Sequence, residues 1–151
     1  MWKKTLLTLS VAAATAAFLV MAPARAAPVQ YNCTLTGKSE TYQGQHFPFK
    51  GTGTMTIDDV TNTVSYSFTL TNGLTFTGTG QGAVTPKGRV FGLVSADGSN
   101  DTHGSAVIVG SAAKNRKSFT VKITAAIPDR LGDPPAGFVV SKMTVKGKLP
   151  Q

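Results

Sequence analysis

From Val29 onward apolar and polar residues alternate with a period of two, and Thr, Ser and Gly fill most of the positions between the apolar ones. That period belongs to strands rather than helices, so this part of the chain reads as strands joined by short turns, with no helix. The first strand is expected over Val29 to Gly37, followed by a polar turn near Ser39 to Gln45. In the second, Phe47, Phe49, Met55 and Ile57 fall on the same side as Gly51 and Gly53. The third sets Val64, Tyr66, Phe68 and Leu70 against Thr63, Ser65, Ser67 and Thr69, a half-buried pattern. In the fourth, Leu74, Phe76 and Val84 share a side with Gly78, Gly80 and Gly82.

Parity also constrains the turns, because residues directly opposed in an antiparallel pair point to the same side of the sheet. Pairing Ile57 with Val64 and Asp58 with Thr63 leaves the loop Asp59 to Asn62. Pairing Leu70 with Leu74 leaves Thr71-Asn72-Gly73, a turn with Gly73 left-handed. Pairing Val84 with Val90 leaves Thr85 to Arg89. Three successive hairpins of this kind make a meander.

Further along, Val90 to Val94 and Ala106 to Val109 are apolar on both sides and are expected to be covered on both, with the turn Asp97 to Asp101 between them. A seventh strand points Phe119, Val121, Ile123, Ala125 and Ile127 inward. Pro128 to Gly137 reads as the longest irregular stretch. The last strand, from about Phe138 to Leu149, changes parity between Val140 and Met143, which predicts a bulge near Ser141. Eight strands at this spacing suit an all-β antiparallel meander, and a closed barrel is favoured over a two-sheet sandwich because closure leaves no exposed edge. Inward glycines on the second and fourth strands fit strong coiling or large aromatic neighbours lying across them. An outer-membrane barrel would alternate in the same way, but the chain is poor in aromatics for interfacial girdles and ends in Leu149-Pro150-Gln151 without an aromatic residue.

The N-terminal stretch departs from this pattern. Lys3 and Lys4 precede an alanine-rich apolar run from Leu6 to Met21 and the small-residue triplet Ala24-Arg25-Ala26, the order of a secretory signal peptide cut after Ala26. As a membrane anchor the run would be short, and Thr8, Ser10 and Thr15 interrupt it. No later segment is apolar enough to cross a membrane as a helix, so residues 27–151 are expected to form one exported domain, periplasmic or extracellular. Cys33, alone in the chain, alternates with Val29, Tyr31 and Leu35 and reads as a buried core thiol.

The net charge of +8 is uneven. Ser111 to Gln151 holds eight Lys and Arg against two Asp and Glu. Lys142, Lys146 and Lys148 share the outward side of the last strand, with Lys122 on its expected neighbour. This stripe suits an anionic envelope or extracellular partner and also discourages edge-to-edge strand pairing. Its companions are Thr120 and Thr144 rather than aromatics on which bases could stack, which argues against nucleic acid.

Catalytic chemistry is thinly represented. His46 and His103 are the two histidines, both beside turns, and neither has a second histidine or a cysteine near it in sequence, so no metal or other cofactor is expected. A small hydrolase would need one of them to meet a carboxylate and a nucleophile in one cleft. A carrier of a small apolar ligand is the better-motivated alternative to a plain interaction protein, with Phe47, Phe49, Tyr66, Phe68 and Phe76 walling an interior that inward glycines leave open. Tyr31-Asn32-Cys33 resembles the Tyr-x-Cys opening of small bacterial lysozyme-inhibitor barrels over those three residues, but the chain lacks the second cysteine for the disulfide of that family. The sequence thus points to a non-catalytic exported binding or interaction protein of unspecified partner.

Overall fold

The computed structural model describes residues 28–129 and 137–151, so the expected signal peptide and most of the Pro128 to Gly137 stretch lie outside the described residues. Eight strands follow one another: β1 (Val29–Glu40), β2 (His46–Asp58), β3 (Thr63–Leu70), β4 (Thr75–Val84), β5 (Arg89–Gly98), β6 (Thr102–Ala112), β7 (Ser118–Asp129) and β8 (Gly137–Lys148). Each pairs antiparallel with the next, and β8 returns to pair with β1, closing an all-β meander barrel. Among the described residues no helix is long and apolar enough to cross a membrane.

The three hairpins adopt the registers that parity dictates. Ile57 faces Val64, and Asp58 Oδ1 accepts hydrogen bonds from the Val60 and Thr61 amides (2.9 and 3.1 Å) to shape the loop between them. The Leu70 amide donates to the Leu74 carbonyl (2.8 Å), and Gly73 takes φ of 86°, a backbone conformation that glycine adopts without steric cost. Val84 faces Val90 across the third turn.

The last strand differs from expectation. Its register with both β7 and β1 is continuous, with no bulge at Ser141. Ser141 points inward, 5 % exposed, and its hydroxyl meets that of Ser39 at 2.7 Å. Phe138 and Val140 therefore stand on the outward side with Lys142. The buried Ser141 hydroxyl is satisfied by the half-buried Ser39, so the strand keeps its parity through a polar inward residue where a bulge was expected. The first strand also runs three residues beyond Gly37, leaving Thr41 to Gln45 as the turn.

Inward side chains of all eight strands form the core, with Phe68, Met55, Ile108, Ile123, Val121 and Val145 almost wholly buried. The inward glycines are filled from the neighbouring strand. The Tyr66 ring lies against Gly78, Val64 against Gly82, Phe68 against Gly53 and Phe119 against Gly147. Between Thr77·Asp97 and Gly80·Val94 the β4–β5 pairing is interrupted. There the Tyr66 hydroxyl donates to the Ser95 carbonyl (3.1 Å) and the Thr79 amide donates to Ser95 Oγ (3.2 Å), so these two backbone groups find partners across the gap.

Burial pushes the Cys33 thiol up to about 12, and burial followed by the charge of Asp97 does the same to the Tyr66 phenol. Both groups are thus held protonated in the fold, whereas in the unfolded chain they ionise nearer their ordinary values of 9.0 and 10.0. As pH rises past 9 the unfolded chain loses its protons first, and stability falls until the folded groups ionise near 12. Urea midpoints measured at successive pH values from 9 to 12 should decline as pH rises. Iodoacetamide at pH 8 should leave Cys33 unmodified until urea unfolds the chain; rapid labelling of the folded protein would contradict this burial.

Candidate interaction surface

Pairing across the barrel fixes which outward side chains are neighbours. On β8 the outward residues include Lys142, Thr144, Lys146 and Lys148. On the β7 side, Thr124 faces Lys142, Lys122 faces Thr144 and Thr120 faces Lys146. On the β1 side, Lys38 faces Lys142, Thr36 faces Thr144 and Thr34 faces Lys146. Lys50 on β2 faces Thr36. The expected patch of Lys122, Lys142, Lys146 and Lys148 therefore occupies one continuous wall, and closure of the barrel adds Lys38 and Lys50 to it. Threonines fill the positions between these lysines, and the outward carboxylate of Glu40 sits at the far end of β1. Lys38 directly opposite Lys142 is a like-charge pair, which costs stability unless an anion relieves it.

Lys38 and Lys50 were not legible as members because they belong to strands distant in sequence from β8. Their membership depends on the first strand meeting the last.

An apolar patch on β5 and β6 meets the β7 edge of this wall, across the closed barrel from β1 and β2. Phe91 on β5 faces Val109 on β6, and Leu93 faces Val107. All four are outward and open, at 50 %, 51 %, 64 % and 48 % exposure respectively. This corrects the expectation that both sides of β5 and β6 are covered: Val90, Val94, Ala106 and Ile108 fill the core, and the intervening apolar residues face outward. Gln81 and Ala83 on β4 border the patch on one side, opposite Leu93 and Phe91. On the other, Lys122 faces Val109 and Thr124 faces Val107. Arg89, two residues before Phe91, is outward on the same strand.

The aromatic candidates separate. Tyr66 and Phe68 are buried and stacked, ring centroids 4.9 Å apart at 14°. Phe76 faces Phe68 from β4 and is half-buried, as is Phe49 on β2. Phe47 does not line the interior: it is 54 % exposed, because its inward parity falls in the first residues of β2, beyond the packed layers.

His103 lies on the outward side of β6, its Nδ1 2.7 Å from Asp97 and its Nε2 3.2 Å from Asp101. The hydrogen bond to Asp97, then that to Asp101, raises its pKa, and the same bond to His103 lowers that of Asp97. The two carboxylates sit against opposite ring nitrogens, so they neither converge on one point nor leave a nitrogen facing a hydroxyl. His46 is 4.0 Å from Glu40.

No protein-family model and no curated protein matches this chain.

Proposed function

We propose that the protein is an exported, non-enzymatic binding barrel whose lysine wall engages an anionic partner of the envelope or extracellular space. The observation that carries this reading is the set of six lysines, Lys38, Lys50, Lys122, Lys142, Lys146 and Lys148, on the outward side of four adjacent strands with threonines between them. A charged field of this kind raises the local concentration of an anion and speeds its arrival. Threonine hydroxyls beside each lysine can donate to the same anionic oxygens.

Export rests on the order of residues 1–26. Binding, rather than hydrolysis, rests on the two histidines, each engaged with carboxylates at the surface. The carrier alternative draws less support, since the glycines that would open the interior are covered by Tyr66, Phe68, Val64 and Phe119.

The test is titration with a soluble polyanion, polyglutamate, at low and high salt. Binding should weaken steeply as salt rises from about 50 mM to about 500 mM, because exposed charges are screened within a few ångströms at the upper value. The triple variant K142Q/K146Q/K148Q should bind about tenfold more weakly, each outward lysine contributing a modest electrostatic increment. Binding that ignores both salt and these substitutions, or no binding at all, would remove the lysine wall as the site.

A further inference from the structure

The apolar patch and the lysine wall meet along the β6–β7 ladder, where Val109 faces Lys122. From this juxtaposition we infer that the barrel docks sideways onto a lipid bilayer bearing anionic phosphate headgroups, with Phe91, Leu93, Val107 and Val109 entering the headgroup boundary and Arg89 and Lys122, which border them on β5 and β7, holding phosphates at its edge. The inference rests on the proposed anionic partner and specifies its chemistry.

Three features select this occupant. A soluble polyanion would satisfy Arg89 and Lys122 and leave four half-exposed apolar side chains in water, whereas a bilayer surface offers phosphate and hydrocarbon within one layer. Interfacial binding of amphipathic surfaces draws on both terms, apolar area entering the boundary and attraction to anionic lipid. A second copy of the chain fits less well. Four side chains fall well short of the ~800 Å² per partner of a stable dimer. The cations also frame the patch closely: Arg89 lies two residues from Phe91 on β5, and Lys122 directly across from Val109, while Asp97 lies four residues beyond Leu93 toward the other end of the barrel.

The arrangement also assigns separate roles. Phe91 and Leu93 project from β5 where Gly92 between them packs inward near Ile108, so replacing them alters the outer wall without touching the core. Arg89 and Lys122 give attraction to an anionic surface on this side of the barrel, and the patch makes that surface a membrane.

The experiment uses the protein purified from the host that makes it, mixed with vesicles of phosphatidylcholine alone or with about one third phosphatidylglycerol, a mixture with an anionic surface. Cosedimentation is expected with the anionic vesicles and not with the neutral ones. The double variant F91S/L93S should bind anionic vesicles at least about tenfold more weakly, through loss of its apolar burial, while keeping its affinity for polyglutamate. In a second variant, F91W, the indole stands on the patch, and residues 27–151 contain no other tryptophan. Its emission should shift to the blue on anionic vesicles and be quenched by brominated lipid. Vesicle binding that F91S/L93S leaves unchanged, or F91W emission that does not shift, would overturn the membrane inference. Polyglutamate binding without vesicle binding would overturn it too while leaving the lysine wall intact, and failure of both would remove the two readings together.

Discussion

Truncating Phe68 to alanine is expected to cost about 4 kcal/mol of stability, in the range for deleting a large buried aromatic side chain. The ring is 1 % exposed, stacks on Tyr66 and faces Gly53 across the β2–β3 ladder. Its removal leaves a void bounded on the β2 side by a residue with no side chain to move into it, so the site collapses poorly. Urea denaturation followed by far-ultraviolet circular dichroism reads the loss directly. A cost below about 1.5 kcal/mol would mean that the neighbouring side chains close the gap and that the packing at this layer is loose.

Placing alanine at Gly53 tests the same layer from the other side, with an expected loss of about 3 kcal/mol from overpacking. A Cβ there would lie 2.7 Å from the Phe68 Cα and closer still to the Ser67 carbonyl oxygen. Both are backbone atoms, so shrinking the neighbouring side chain does not make room. The Gly53→Ala defect should therefore persist in a Phe68→Leu background. Gly147 supplies the contrast, because a Cβ at that position meets ring atoms of Phe119. Gly147→Ala should be partly rescued by Phe119→Leu, and the two double-mutant cycles should differ in coupling energy. Equal rescue in both would show that the β2–β3 backbones separate more readily than their spacing implies.

Much of this fold was legible in the sequence because period and parity act locally. Ile57 and Val64, Leu70 and Leu74, and Val84 and Val90 share a side of the sheet only at particular loop lengths, and Asn72-Gly73 supplies the turn that one of those lengths requires. The failures share a different physical origin. Hydrophobicity is a one-way guide to burial, so Phe91, Leu93, Val107 and Val109 read as covered when they stand on the outer wall, and Phe138 and Val140 read as inward. Ser141 was misjudged because its partner, Ser39, lies on the strand that closes the barrel and not on a neighbour in sequence. Phe47 has the right parity and the wrong height along the barrel. The candidate surface was half visible for the same reason: lysines alternating on β8 can be read in order, whereas Lys38 and Lys50 join them only through the β1–β8 seam, and the meeting of Val109 with Lys122 needs the β6–β7 register.

That seam has a consequence for how the molecule is made. Asn32 pairs with Lys148, so no growing or partly threaded chain can form the β1–β8 ladder, and until β8 arrives both β1 and β7 are open edges. Contacts this distant in sequence are slow to form, because the cost of closing the loop comes before any gain from pairing. During that interval Lys38 on β1 and Lys122 on β7 stand on the two unpaired strands, and charge on an open strand discourages its zipping onto another chain. The lysines that face outward in the finished barrel thus also guard its edges while it is incomplete, and the last strand to be delivered is the one that locks the first in place.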